Sequence, residues 1–328
     1  MGALKAALLQ IFPDEQAIVD LWTGTIRESS AKDYETKFKI FMQFLKSHNI
    51  PLHTLKLVHV LKFLMSLFLK GKATRTIYAY RSAIAQPLEW CFGIELDSQH
   101  IRNLLKGMAL RRPDNPPKTV QWNISDVLEF IEEMPLGTEE LPLLQTTAIL
   151  LLLATGWRIS ELSACVRQQE YLHFTTEGHL KIRPHKTFLA KNEAPTRRWD
   201  HTTIRPLFLE NGRRSKLCPI LHLQEYLRAS KNDLVGPLFK KPGTTDELPI
   251  RTLARYVCNF IRKASPRSKV SVHDIRKMAS SIALVKCMKL SLVTSAMRWS
   301  STSTFINFYL NQTSLPSSHF VTPEQNQI

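Results

Sequence analysis

Residues 270–284 read VSVHDIRKMASSIAL, and residues 298–310 read RWSSTSTFINFYL. In the first stretch His273 and Arg276 stand three residues apart, so a helix sets them on one face. In the second, Trp299 precedes Tyr309 by ten residues, across a Ser/Thr-rich step of the kind that caps a helix start. Upstream, residues 155–162 read TGWRISEL and put Arg158 just past a long apolar run. Two arginines, a histidine, a tryptophan and a late tyrosine form a set suited to phosphate chemistry with a hydroxyl nucleophile.

Composition narrows the partners. The 328 residues carry 44 Lys+Arg against 28 Asp+Glu, a formal net charge of +16, with 44% hydrophobic residues. A chain of this length and balance can bury two cores, and its charge favours a polyanion. The basic residues are spread along both halves and not gathered on one amphipathic helix, which favours a nucleic acid over a membrane surface. No apolar run reaches membrane-spanning length, and the opening MGALKAALLQIF does not continue into a secretory signal. Five scattered cysteines, Cys91, Cys165, Cys218, Cys258 and Cys287, include no CxxC pair. They read as reduced core residues of an intracellular protein, not as a disulfide frame or a zinc site.

Periodicity predicts a helical first half. After a helical lead-in to about residue 28, Ser30 and Asp33 mark a helix start, followed by Tyr34, Phe38, Phe41 and Leu45 at helical spacing. Leu57, Leu61, Leu64 and Phe68 predict a second helix, and Ile77, Tyr80, Ile84 and Leu88 a third, with Arg75 and Arg81 available on another face. Ile101, Leu104, Leu105 and Met108 predict a fourth. RRPDNPPKT, residues 111–119, holds three prolines and almost nothing apolar, so an extended linker is expected there. The expected division is a helical domain over 1–112, a linker over 113–120 and a second domain over 121–328.

The second domain returns to helix at Ser125, and its helix from Leu141 to Leu153 is apolar nearly all round and therefore buried. A helix or turn is expected over Arg158–Val166, and a small hairpin over Tyr171–Ile182 turning at Glu177-Gly178. Residues 185–201, HKTFLAKNEAPTRRWDH, read as an exposed basic turn, and further helices are expected at Leu217–Leu227 and Leu253–Ile261. The fold class is thus mostly α with a small β-sheet. The polar end, NQTSLPSSHFVTPEQNQI, reads as loose unless a partner holds it.

In-line attack on a phosphodiester builds charge on the non-bridging oxygens. The planar forks of Arg158 and Arg276 can bind both oxygens without a metal. His273, titrating near working pH, can hydrogen-bond the phosphate or help deprotonate a nucleophile. The indole N–H of Trp299 can donate to a phosphate oxygen but cannot accept a proton.

TGWRISEL, HDIRKMASS and WSSTSTFINFYL, in this order and spacing, resemble the tyrosine recombinase (phage-integrase) family. The wording of several segments, including LCPILHLQEYLRAS at 217–230, looks closest to the recombinases of DIRS-type retrotransposons. The resemblance implies a SAM-like helical core-binding domain followed by an integrase-like catalytic domain. It implies a DNA integrase that cleaves and rejoins strands through a 3′-phosphotyrosine on Tyr309, with no metal or nucleotide cofactor. It also implies a general-acid lysine in the hairpin turn. Lys191 in FLAKNE fits the FLPK-type segment of the DIRS-type proteins, and Lys186 in HKT is the alternative, fitting a phage-integrase turn. Glu161 matches a supporting position. Assembly of four protomers on double-stranded DNA is implied, as is nuclear residence if the host is eukaryotic. Trp299 stands where many relatives carry a second histidine, and Lys277 follows Arg276 where many carry histidine. The alternative readings are a non-catalytic DNA-binding protein derived from a recombinase, and a type IB topoisomerase.

Overall fold

In a computed structural model the described residues are 2–24, 28–115, 120, 122–191, 193, 196, 198–230, 235–266, 269–285 and 289–297. The chain divides into two compact units, Met1–Pro116 and Pro117–Ile328.

Among the described residues the elements of the first unit are all helices: α1 (Gly2–Ile11), α2 (Gln16–Gly24), α3 (Glu28–Ser47), α4 (Leu57–Leu69), α5 (Thr74–Phe92) and α6 (Gln99–Arg111). The expected apolar positions converge on an aromatic centre. Phe63 packs edge-on against Phe41 at 5.0 Å and against Tyr80 at 5.9 Å between ring centroids. α3 begins two residues before the expected Ser30, and α5 begins at Thr74 as its spacing predicts. The two arginines of α5 are not idle surface charges. Arg81 donates to the Leu96 carbonyl through Nε at 3.0 Å and reaches Asp97, and Arg75 lies 3.8 Å from Asp114. The start of the Pro-rich stretch is also held to this unit. Arg112 stacks over the Phe68 ring at 4.1 Å and donates to the Phe68 and Lys72 carbonyls.

The second unit is built around one helix. α8 (Glu140–Thr155) is buried along nearly its whole length, and α10 (Pro219–Ala229), α11 (Ile250–Ala264) and α12 (Val272–Val285) pack against it. The uniform apolarity of its sequence has this cause: between Leu143 and Leu152 no side of it faces water. α7 (Ile124–Glu133) precedes it, opened by the Asn123 side chain accepting from the Ser125 amide at 3.1 Å. α9 (Ile159–Ser163) follows it, and α13 (Leu290–Ala296) comes last among the described elements.

The sheet has three antiparallel strands, β1 (Leu172–Phe174), β2 (Leu180–Ile182) and β3 (Thr202–Ile204), in the order β1-β2-β3. Leu172 pairs with Ile182, and Ile182 with Thr202, so Leu180, Ile182 and Ile204 all turn into the core. The fold is therefore mostly α with a small sheet, as expected, with a third strand that the sequence pattern did not announce.

Candidate active site

The centre of the candidate site is where α8 stops. Gly156 takes a left-handed conformation (φ 62°) and its amide closes the last turn onto the Leu152 carbonyl. The conformation favours glycine, and a Cβ here would stand 2.7–2.9 Å from the Met297 side chain, which would have to shift. The chain then turns at once into α9, with Arg158 as its N-cap residue.

Glu161 organises this turn. Its carboxylate accepts the Arg158 backbone amide at 2.6 Å and Arg158 Nη1 at 3.2 Å. The same carboxylate lies 4.0 Å from Nη1 of Arg276, and both of those side chains are 2% exposed. One buried anion thus stands between the two arginines and offsets the repulsion that would otherwise drive them apart.

The two guanidiniums differ in what is left for a ligand. The Arg158 side chain is 16% exposed. Arg276 points inward from α12, donating Nη1 to the Gly156 carbonyl and Nη2 to the Met297 carbonyl at 2.6 Å. It joins the end of α8, the middle of α12 and the end of α13. Ser280 reinforces the same junction, donating to the Arg276 carbonyl at 2.6 Å and lying 3.1 Å from the Met297 sulfur.

His273 sits in the first turn of α12, where Ser271 and Asp274 form a reciprocal cap. Ser271 Oγ accepts the His273 amide at 3.3 Å and Asp274 accepts the Ser271 amide at 3.0 Å. The residue is solvent-exposed, but partial desolvation of its ring holds its pKa below the ordinary 6.5. The positive charge of Arg158 acts in the same direction, and Asp274 opposes both. His273 is therefore neutral at physiological pH, with one ring nitrogen able to accept a proton.

Both lysines lie on the connection between β2 and β3. Their side chains are exposed, and among the described residues neither ammonium makes a hydrogen bond or ion pair. What orders this connection is Glu193, which accepts the Ala190 and Trp199 amides at 2.8 Å each and lies 3.5 Å from Arg198. With Ala190 buried, Lys191 projects from an anchored point. The Lys186 carbonyl accepts from Arg198, which ties the two halves of the connection together.

Trp299 and Tyr309 lie outside the described residues. The arrangement brings Arg158, Glu161, His273 and Arg276 together and leaves the two lysines on a separate loop. Gly156, Met297, Ser280 and Glu193 were missed by the sequence reading. Only Gly156 carried a signal, a Thr-Gly step ending an apolar helix. Among the described residues no group of three or more His, Cys, Asp or Glu could hold a metal, and no helix is long and apolar enough to cross a membrane.

The architecture is similar to that of several solved structures. A lambda integrase dimer bound to a COC′ core site matches over 100% of this chain and 98% of its own, with a TM-score of 0.54 at 14% identity. The Tn1549 transposon integrase in complex with transposon right end DNA matches over 94% and 93%, with a TM-score of 0.56 at 15% identity. The XerH site-specific recombinase, in a post-cleavage complex with palindromic difH substrate, matches over 87% and 76%, with a TM-score of 0.56 at 18% identity. The fold is integrase-like. No protein-family model matches the chain, and no curated protein matches it by sequence. The integrase-like likeness is thus one of backbone architecture, and what this chain does must be argued from its own side chains.

Proposed function

We propose that this chain is a DNA strand transferase of the tyrosine recombinase type, working as an integrase for a mobile element. The observation that carries the reading is the buried Glu161 carboxylate bracing Arg158 and Arg276 beside a neutral His273, at the heart of an integrase-like fold. Such a cluster supplies fixed positive charge where a phosphorane would form, with no metal needed.

Tyr309 attacks the phosphorus through its phenolic oxygen, and its proton passes to neutral His273 or to water. The bond from phosphorus to the 5′-oxygen breaks, leaving a 3′-phosphotyrosine. The departing oxygen takes a proton from Lys191, with Lys186 as the alternative donor. A 5′-hydroxyl from another strand then attacks the phosphotyrosine and restores the phenol, so the energy of the first bond is kept for the second. Arg158 contacts the non-bridging oxygens directly. Arg276 does so by exchanging a backbone carbonyl for phosphate, and the Trp299 indole adds one donor. In this reading residues 1–112 are the core-binding half of a DNA clamp, 121–328 the catalytic half, and four protomers assemble on two sites. A DIRS-type origin and a nuclear location belong to the same proposal and rest on the motif wording alone.

One observation favours a second reading. Arg276 is buried and engaged by two backbone carbonyls, as suits a chain that binds DNA without cutting it. A nicked suicide duplex separates the two. The enzyme yields a covalent protein–DNA adduct on a denaturing gel, with the modified peptide containing Tyr309. A chain that retards the duplex yet forms no adduct under any condition is the binding protein.

A further inference from the structure

Away from the arginine cluster, at the opposite end of α8, lies a cavity of about 350 Å³. Its walls are apolar, with Ile131, Met134, Leu136 and Leu143 prominent, and a Thr146–His222 hydrogen bond of 2.9 Å lies at its lining. Its rim is acidic. Residues 129–140 read EFIEEMPLGTEE, five glutamates and no lysine or arginine in a chain of net charge +16. Glu132, Glu133 and Glu139 are exposed. This sign of charge repels a nucleic acid, so the occupant is a protein group: apolar, with basic flanks.

The same unit carries a segment of that description. Between β3 and α10 the chain makes a tight hairpin, with Phe208 bridged to Arg214, Leu209 N donating to the Arg213 carbonyl at 2.8 Å and Gly212 at φ 75°. Its leading strand exposes three consecutive apolar side chains, Leu207 at 46%, Phe208 at 53% and Leu209 at 49%. Single exposed apolar residues are ordinary, but three in a row on an ordered hairpin mark a contact surface. Arg205 and Arg213 flank them in solvent, Arg214 stacks over Phe208 at 5.8 Å, and Glu210 is the one acid at the tip. The hairpin's foot is fixed to the cavity's rim: Lys216 donates to the Glu132 carbonyl at 2.7 Å and lines the cavity itself. Knob and cavity therefore lie side by side, yet none of Leu207, Phe208 or Leu209 lines the cavity of its own chain.

We propose that the hairpin over 205–214 seats its apolar residues in the cavity of a second copy, and receives that copy's hairpin in return. Adjacent knob and hole on one surface close under a two-fold axis, so the contact is used twice and stops at a dimer. The basic flanks of each knob then meet the acidic rim of each cavity. Neither Tyr309 chemistry nor DNA enters this contact, so it is tested on DNA-free protein.

The experiment is sedimentation equilibrium of the full chain, combined with photo-crosslinking from benzoyl-phenylalanine placed at position 208. The expected result is a dimer whose cross-links fall within residues 131–143 of the other copy. Phe208→Asp should weaken dimerisation at least about 30-fold, as loss of a central anchor does. Arg213→Glu and Glu139→Lys should each weaken it, and the two together should restore it, a rescue that misfolding cannot imitate. A wild-type chain that stays monomeric to about 100 µM would overturn the proposal. So would a dimer indifferent to Phe208→Asp, or cross-links landing elsewhere, including in the chain's own residues 298–328.

Discussion

The arginine cluster and the lysine-bearing connection are both rich in cations, yet they are built in opposite ways. Around Glu161 the charges are buried or nearly so, bridged by one carboxylate, and tied to the ends of α8 and α13. On the β2–β3 connection Lys186 and Lys191 are exposed, and a single carboxylate, Glu193, orders the backbone beneath them. The difference matches the role proposed for each group. Charge that stabilises a transition state is most effective when its position is fixed in advance, because no reorganisation is then needed during reaction. A proton donor need only arrive once substrate is bound, so a loop serves.

The comparison breaks most sharply at Glu161. Removing the anion leaves two guanidiniums facing each other in a buried site, and Glu161→Ala should destabilise the fold by about 3–5 kcal/mol. Glu193→Ala should cost less, because it strips a partner from two loop amides but leaves behind only the part-exposed Arg198 in place of a buried pair of cations. Urea titration of both variants checks this, and equal losses would mean that the two regions are not built differently.

Arg158→Ala should slow adduct formation by about 10²–10³-fold while DNA affinity changes little. Single-turnover cleavage measured beside equilibrium binding separates the two effects. Equal losses in both would make Arg158 a holding contact only.

Gly156→Ala sharpens the account of how Arg276 is held. The left-handed backbone alone should cost about 1–2 kcal/mol, and the new methyl must also displace Met297. Gly212→Ala, which has a similar φ of 75° but nothing within 4 Å, should show the backbone cost alone. Thermal unfolding of the pair reads the difference.

The smallest effect is on pH. Because desolvation and Arg158 hold His273 below 6.5, its neutral form persists as pH falls through that value. The acid limb of cleavage should lie below 6.5 and move upward in Arg158→Lys only slightly, but clearly in a charge-removing Arg158→Gln. The unfolded chain protonates His273 more readily than the folded one, so stability too should fall as pH drops below 6.5.

The sequence was most informative where one physical rule dominated. All-round apolarity marked α8 as buried, and the three-residue spacing of His273 and Arg276 placed the two on one helix. The third strand escaped notice because Thr202–Ile204 is three residues long and flanked by polar chain, too short for period-2 alternation to register. The inward aim of Arg276 was equally hidden. Its partners are carbonyls of Gly156 and Met297, and a backbone oxygen has no letter in a sequence. Nor does the wording of residues 217–230 bear on the candidate site, since Ile220, His222, Leu223 and Tyr226 are buried residues of α10.

The division of labour between the two regions is tested most directly by replacing the bridging 5′-oxygen of the substrate with sulfur. A thiolate leaves without a proton, so a variant lacking only the general acid should recover on this substrate, whereas one lacking transition-state charge should not. Cleavage of both substrates is measured for Lys191→Ala, Lys186→Ala, Arg158→Ala and Arg276→Ala. The account predicts a rate near that of the unaltered protein for Lys191→Ala on the sulfur substrate, and persistent loss for both arginine variants. Rescue of an arginine variant, with none at either lysine, would contradict it.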